Sequence, residues 1–543
     1  MKTVIVGGVA GGATAAARLR RLDEHAEILI LERSAYVSYA NCGLPYYISG
    51  VIEKEEELTI QTPESLKRRF QIEVRVRSEV TKIDRAKKTV TVKQDGKTYT
   101  ESYDKLILSP GAKAVTPAFE SDKLFTLRTV EDTANIKRYL DKTNPKTAIV
   151  IGGGFIGLEM AENLLTRGIK TILMQRGNHI LPPFDFDMAS QLNQHLRQNG
   201  LDLRFQQNVE QFEEKNNQLI VTANGVSIAA DFVLFAAGVV PETHLAAQAG
   251  LQLGIKGAIV VNDRMQTSDP DIYAVGDAVQ IHHFVTQAPA HIALAGPANK
   301  QGRIAADNIY GLDSRFQGAQ GSSVIRLFDM TAAATGLNET AAKQANIEYD
   351  KVVTYSPDHA TYYPGASNMT IKTLFEQKSG RIIGAQITGF SGVDKRIDVL
   401  ATAIRAKMTA ADLAELDLAY APPYSSAKDP VNMAGFVIEN IRSGLVRQHH
   451  PEQIKSLQKQ DGTFLDVRTN AEFAAGHLPR AINIPLDSLR QNLNRIDKNK
   501  PVYVNCQSGL RSYIACRILS AHGFTCSNLS GGYRFYQVIE ENQ

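Results

Sequence analysis

Two of the four cysteines in this 543-residue chain sit where sulfur chemistry is possible. Cys42 lies in "SYANCGLPYYISG" (38–50), with no second cysteine, histidine or metal-ligand partner beside it. In a reducing compartment an isolated cysteine is either buried and inert or reactive. Cys506 opens "CQSGLR" (506–511), directly after the apolar stretch "VYVN". A six-residue loop between a buried strand and a helix turns backbone N–H groups and the positive end of the helix toward the cysteine sulfur. That arrangement lowers a thiol pKa from about 8.5, and Arg511 adds a positive charge. Cys516 and Cys526 match no motif and are expected to be structural. The cysteines are too few and too scattered for a disulfide framework, and they form no zinc pattern.

The elements that must position Cys42 begin at the start of the chain. "KTVIV" (2–6) reads as a buried strand, and "GGVAGGATAAARLRRL" reads as a glycine loop opening a helix. Against G-x-G-x-x-G, Gly7 and Gly12 fit, while Val9 takes the middle place and Ala10 and Gly11 complete the loop. "EILILE" ends a second strand at Glu32, about 20 residues after Gly12, where an acid bonds a ribose hydroxyl. The pattern returns in "TAIVIGGGFIGLEMAENLLTRG", with Gly152, Gly154 and Gly157 in frame. Its following strand, "KTILMQR", ends at Gln175-Arg176 instead of an acid. A carboxylate there would repel the 2′-phosphate of NADP. Glutamine does not, and Arg176 can attract it, so NADH and NADPH both stay open. "YDKLILSPGA" (103–112) and "IYAVGDA" (272–278) are short strands running into glycine turns, the second ending near Asp277.

Over about residues 1–445 these units resemble the pyridine nucleotide–disulfide oxidoreductases. The resemblance implies an α/β chain with two Rossmann-like domains. An FAD-binding domain would span 1–112 and 255–320, an NAD(P)H-binding domain 113–254, and an α+β dimerisation domain 321–445. It places FAD on the first loop (Gly7 to Gly12), Glu32, Arg33, Val80 and Asp277. It places the nicotinamide cofactor on Gly152, Gly154, Gly157 and Gln175. Glutathione-reductase-like members carry a second cysteine shortly after the first; here Tyr47 stands five residues beyond Cys42. With no internal partner in reach, oxidised Cys42 is expected as a sulfenic acid or a mixed disulfide with an external thiol.

NADH oxidases and peroxidases of this family have a histidine in the first loop, where this chain has Ala10. "SYANCGLPY" resembles instead the cysteine motif of coenzyme A-disulfide reductases. "HATYYPG" (359–365), "DKRIDV" (394–399) and "YAPPYSSAKD" (420–429) resemble their dimer domain. By that resemblance the protein is a homodimer in which Tyr362 and Tyr420 reach the partner's active site, where a tyrosine hydroxyl can protonate a leaving thiolate. Tyr363 adjoins Tyr362 and is the alternative. Coenzyme A carries several phosphate charges. Arg18 and Arg21, three apart on one helix, are implied ligands, with Ser38 and Asn41 beside the cysteine. Asn299, Lys300 and Lys428 are further candidates. Arg69 substitutes for a lysine usual near position 70, where the chain has Phe70.

From about residue 446 the character changes. "TFLDVRTNAEFAAGHLPRAINIPLDSLR" (463–490), "VYVNCQSGLRS" and "NLSGGYRFY" together resemble a rhodanese domain, implied for 446–543. Rhodaneses carry a persulfide on the cysteine that Cys506 matches. Phosphatase relatives have a loop one residue longer, which argues against a phosphate substrate. The combined resemblance implies an FAD-dependent NAD(P)H oxidoreductase. Its substrate would be the S–S bond of coenzyme A persulfide, polysulfide or coenzyme A disulfide, and it would be coupled to sulfur transfer at Cys506. The rivals are an NADH oxidase or peroxidase, and a persulfide carrier or redox sensor.

Composition bounds the remainder. Lys+Arg is 60 against Asp+Glu 57, and a net charge of +3 over this length makes no basic stripe for nucleic acid. No apolar run approaches the ~20 residues of a membrane span. No signal-peptide pattern precedes the first strand, so the cytoplasm is the expected setting.

Overall fold

Thr3, Val4 and Ile5 are wholly buried because their strand, Lys2–Val6, lies in the middle of a parallel sheet. Glu27–Leu31 pairs with it on one side, Val6 opposite Leu31, and Lys105–Leu108 on the other. Ile272–Ala274 and Glu73–Arg75 form the edges. A parallel sheet covered on both faces demands nearly continuous apolar runs, and that is what made these strands legible. The structure is a computed structural model and describes residues 1–543. It divides into two compact units, Met1–Gly177 with Leu201–Gly321, and Asn178–Gly200 with Ser322–Gln543.

The first unit contains the same design twice. Its second parallel sheet runs Asp202–Arg204, Lys170–Met174, Thr147–Ile151, Phe232–Phe235, Leu124–Phe125. Each parallel sheet is accompanied by a three-stranded antiparallel meander, Ser78–Asp84 to Lys97–Ser102 in one and Val209–Lys215 to Val226–Ala230 in the other. The duplication extends to the loops. A Cβ on Gly12 would lie 2.0 Å from the Gly7 carbonyl oxygen, and one on Gly157 would lie 1.9 Å from that of Gly152. Only glycine allows each helix to start so close to its loop.

The second unit has two sheets. One is antiparallel, in the order Ser323–Leu327, Met330–Gly336, Ile382–Gly389, Asn368–Glu376, Tyr349–Pro357. The other is parallel: Gln448–His449, Cys526–Leu529, Val502–Asn505, Thr463–Asp466, Ile482–Asn483. They meet through Lys351, which bonds both Glu339 and Glu452, and through His450 against Asp350.

One boundary differs from expectation. Residues 178–200 fall within the segment 113–254 assigned to the nicotinamide domain, yet they belong to the second unit. Their helix, Phe186–Gln198, buries Met188, Leu192 and Leu196 there. The fully buried Lys372 ammonium is 2.9 Å from Asp185, 2.7 Å from Asp187 and 2.6 Å from Glu339. A buried ammonium needs this full set of partners, because leaving it unpaired costs several kcal/mol. The three carboxylates converge as metal ligands would, but the lysine occupies their centre. No helix is long and apolar enough to cross a membrane.

Candidate active site

The carboxyl ends of the first sheet open on a cleft of about 410 Å³. Gly7, Val9, Ala10 and Gly11 line it from the loop, with Glu32, Arg33, Val80 and Asp277 around them. Of the residues expected to hold FAD, Gly8 and Gly12 lie behind this wall, both buried. Glu32 accepts the Gly8 N–H at 2.8 Å with one oxygen and the Ser34 N–H at 2.9 Å with the other. Burial pushes its carboxyl pKa up, against these bonds. Arg33 is clamped by Glu242.

The residues at both loops fit dinucleotides. The buried Asn41 Oδ1, on the cleft wall, has no hydrogen-bond partner within the protein. At the second loop, Gly154 has a φ of −84° and nothing within 4 Å of where its Cβ would stand. The protein's own packing does not require glycine there, and the space it leaves over the helix N-terminus fits a pyrophosphate. Gln175 Oε1 accepts the Gly153 N–H at 3.0 Å.

Cys42 sits in a short turn, Asn41–Gly43, that leads into the helix Leu44–Ser49, and it is exposed. Ser38 anchors this segment with its backbone. It has a φ of 49°, donates its N–H to the Gly8 carbonyl at 2.9 Å, and accepts the Ile60 N–H at 2.8 Å. The Cys42 pKa is raised, first by partial desolvation and then by Glu159, with Arg128 opposing and Asp277 adding. The protein's own groups therefore hold Cys42 as a thiol at neutral pH.

Three of these neighbours escaped the sequence reading. Arg128 donates to Asp277 at 2.5 Å and to the Ala112 carbonyl at 3.2 Å, so Asp277 enters the site as half of an ion pair. Glu159, on the second-loop helix Phe155–Thr166, is pushed up to about 7 by burial and by Glu162. Tyr46 hydrogen-bonds Glu159. The available signal was a pair of glutamates, Glu159 and Glu162, on a mostly apolar helix.

Glu159 supplies a pH prediction. Its carboxyl is neutral below about pH 7 and negative above, and the added charge raises the Cys42 pKa. Glu159→Gln is therefore expected to speed alkylation of Cys42 by iodoacetamide several-fold at pH 8, by about tenfold per pKa unit removed. Because the folded pKa is raised from 4.5 to about 7, ionisation also lowers folding stability as pH rises through that window. The same variant should be the more stable protein above pH 7, by about 1–3 kcal/mol. Superimposable alkylation profiles for the two proteins would refute the coupling.

The expected coenzyme A ligands are less uniform. Arg18 is held by the buried Asp307 at 2.6 Å, so its charge is already matched and it does not act as a free pair with the exposed Arg21. Asn299 accepts the Thr14 hydroxyl at 2.6 Å and donates to Ala295, tying two helices together. Arg21, Arg69, Lys300 and Lys428 are exposed.

In the second unit the Tyr362 and Tyr420 hydroxyls lie 2.5 Å apart, and both rings are exposed. Tyr363 instead packs its ring against His359. This distinguishes the two adjacent tyrosines, which spacing alone left open. Tyr420 also borders a cavity of about 670 Å³ that contains Lys395 and Arg396.

The Cys506 loop is built from behind. Its Cys506 and Gln507 carbonyls accept the Tyr533 and Arg534 N–H groups at 2.7 and 3.1 Å, at the start of the helix Gly532–Glu540. Those bonds turn the loop's N–H groups the other way. A Cβ on Gly532 would lie 2.7 Å from the Ser508 nitrogen, which explains the glycine pair in "SGGYRFY". The sulfur accepts the Gly509 N–H at 3.1 Å and the Ser512 hydroxyl at 3.2 Å. One backbone donor and one hydroxyl thus replace the expected succession of N–H groups.

Arg511 also departs from expectation. Both its terminal nitrogens bond Glu472, at 2.8 and 2.6 Å, holding that carboxyl down at about 2. Its charge is shared with Glu472 and is not directed wholly at the sulfur. Arg468, in the "DVR" stretch, pairs with buried Asp466 at 2.7 Å and steadies Gln507 of the loop. Cys516 and Cys526 are buried in the core of this domain.

Residues 1–302 match the family model for pyridine nucleotide-disulphide oxidoreductases, 323–430 the dimerisation domain of the same group, and 450–537 a rhodanese-like domain. A coenzyme A disulfide reductase of Staphylococcus aureus (strain JH9) is 38% identical over 438 residues, covering 80% of this chain and 99% of the relative. The crystal structure of reduced Bacillus anthracis CoADR-RHD superposes with a TM-score of 0.98 at 47% identity, covering 99% of this chain and 98% of that one. A NAD-dependent persulfide reductase from A. fulgidus superposes with a TM-score of 0.93 at 38% identity, covering 98% and 100%.

Proposed function

From the premise that the chain belongs to the pyridine nucleotide-disulphide oxidoreductases and carries a rhodanese-like domain, we propose that it joins two sulfur centres, Cys42 and Cys506, in one reductive sulfur cycle. It is a flavoprotein reductase that uses NAD(P)H to reduce S–S bonds of coenzyme A persulfide, polysulfide or coenzyme A disulfide. FAD, when bound, passes the two electrons of the nicotinamide hydride to sulfur.

This chain's own residues do the following. Cys42 attacks the coenzyme A sulfur of the persulfide and gives its proton to the displaced hydrosulfide, which leaves as hydrogen sulfide, so that Cys42 is left in a mixed disulfide with coenzyme A. Two electrons and a proton then split that bond into Cys42 thiolate and coenzyme A thiol. Cys506 accepts sulfane sulfur as a persulfide and hands it to coenzyme A, supplying the substrate for Cys42. Tyr420 and Tyr362, joined at their hydroxyls, protonate the leaving thiolate. In a homodimer, which the dimerisation domain supports, that tyrosine pair would serve the partner's Cys42 site.

The observation that carries this reading is an exposed single cysteine next to Asn41, which lines the cleft, in the same chain as a six-residue loop whose backbone bonds a cysteine sulfur. Intact-mass analysis of the purified protein before and after reduction tests it. Loss of a coenzyme A-sized adduct mapping to Cys42 is expected. A Cys42 carrying only oxygen, together with oxygen or peroxide consumption far faster than persulfide reduction, would favour an oxidase instead.

A further inference from the structure

Two cysteines of the rhodanese-like domain take no part in the cycle above, yet they stand against each other. Cys516 lies on the helix Leu510–Ala521, and Cys526 opens the strand Cys526–Leu529. Their thiols hydrogen-bond one another. The Cys526 thiol also donates to the Cys516 carbonyl at 3.4 Å, and its sulfur lies 3.4 Å from the Ser520 hydroxyl. Side chains in such contact meet the first condition for a disulfide, which is that they face each other.

The pair is polarised. The bond from Cys516 holds Cys526 down at about 7, against burial, with Ser520 and Arg517 helping. Cys516 is pushed far up by that same bond and by burial. At neutral pH one sulfur is partly ionised and the other keeps its proton, the division that an attacking and a resolving sulfur require. Cys516 is 1% and Cys526 8% exposed, but Ser520 is on the surface, so the ionising sulfur lies just beneath it.

Both elements also hold the Cys506 loop. The helix begins in that loop, and Asn528, two residues along the strand from Cys526, donates to the Gly509 carbonyl at 3.2 Å. The Gly509 N–H in turn bonds the Cys506 sulfur at 3.1 Å. Cys506 is 1% exposed, so a sulfur donor reaches it only when the loop and its supports give way.

We propose that Cys516 and Cys526 are a peroxide-sensitive pair that closes to a disulfide and, by tying helix to strand, restrains sulfur transfer at Cys506. The restraint rests on reading Cys506 as the sulfur-transfer cysteine. The Cys526 sulfur attacks one oxygen of hydrogen peroxide. The O–O bond breaks, hydroxide leaves and becomes water with the Cys526 proton, and Cys526 becomes a sulfenic acid. The Cys516 sulfur then attacks Cys526. The S–S bond forms, the S–O bond breaks, and the departing hydroxide leaves as water with the Cys516 proton. Two electrons thus pass from the two thiols to one peroxide.

The test uses the full-length, FAD-loaded, reduced protein. It is treated with hydrogen peroxide, its remaining thiols are alkylated, and it is digested with trypsin without reductant. Cleavage after Arg511, Arg517 and Arg534 leaves Cys516 in 512–517 and Cys526 in 518–534. These two peptides are expected to be linked, lighter than their sum by two hydrogens, and to separate with a dithiol reductant. Sulfur transfer from thiosulfate to a thiol acceptor should fall in step with the link by about tenfold, the usual scale of coupling between two sites, and return with the reductant. Cys516→Ala suits its apolar surroundings, and Cys526→Ser keeps its polar contacts. Each variant should melt cooperatively, transfer sulfur at the untreated wild-type rate, and keep that rate after the same peroxide treatment. Absence of the linked peptides at peroxide levels that oxidise Cys42 would overturn the inference. So would a link that leaves transfer unaltered, or a reversible loss that persists in both variants, which would mark direct oxidation of Cys506. If reduced wild-type protein transfers no sulfur, the functional reading fails instead, and the peptide map still decides whether the pair closes.

Discussion

Cys42→Ser protein is expected to fold, to retain FAD and to have that flavin reduced by NAD(P)H, yet to lose reduction of coenzyme A disulfide and persulfide by about 10³-fold or more. Loss of a covalent nucleophile costs this much because no other group can form the bond on which the second half of the cycle acts. The structure leaves no substitute. The other three cysteines all lie in 446–543, buried in a separate sheet domain. Anaerobic stopped-flow spectroscopy separates the two half-reactions. Disulfide turnover within tenfold of the wild-type rate would remove Cys42 from the path.

Cys506→Ser separates the two sulfur centres. Sulfane sulfur transfer from thiosulfate to a thiol acceptor is expected to vanish. Reduction of coenzyme A disulfide, which needs no sulfur handed over, should be unchanged. Turnover of polysulfide should fall if Cys506 feeds coenzyme A persulfide to Cys42. The substitution is nearly isosteric, and the Gly509 N–H and Ser512 hydroxyl still have an acceptor, so the loop should keep its shape. A variant that turned over every persulfide as fast as the wild type would show that the rhodanese-like domain is not on the reductive path.

What could be read in advance follows from how local each feature is. The phosphate loops were legible because a strand, a glycine turn and a helix are specified within about 30 residues. The cleft then gathers the residues assigned to FAD except Gly8 and Gly12. The place of residues 178–200 was not legible. Their helix has an ordinary amphipathic pattern, and its neighbour was decided by Lys372, more than 170 residues away in sequence. The two adjacent tyrosines were likewise equivalent by motif, and only the folded chain sets Tyr362 against a hydroxyl 58 residues away and Tyr363 against His359.

The sequence by itself determined the two nucleotide loops, the solitary Cys42 and the six-residue loop at Cys506. Glycine positions, strand patterning and loop length are properties of short stretches of backbone. Only the tertiary structure decided which charges act. Arg18 is neutralised by Asp307, Arg511 shares its charge with Glu472, Asp277 is tied to Arg128, and Glu159 stands near Cys42 with a pKa of about 7. Electrostatic effect depends on distance and burial through space, and neither is encoded in the spacing of residues along the chain.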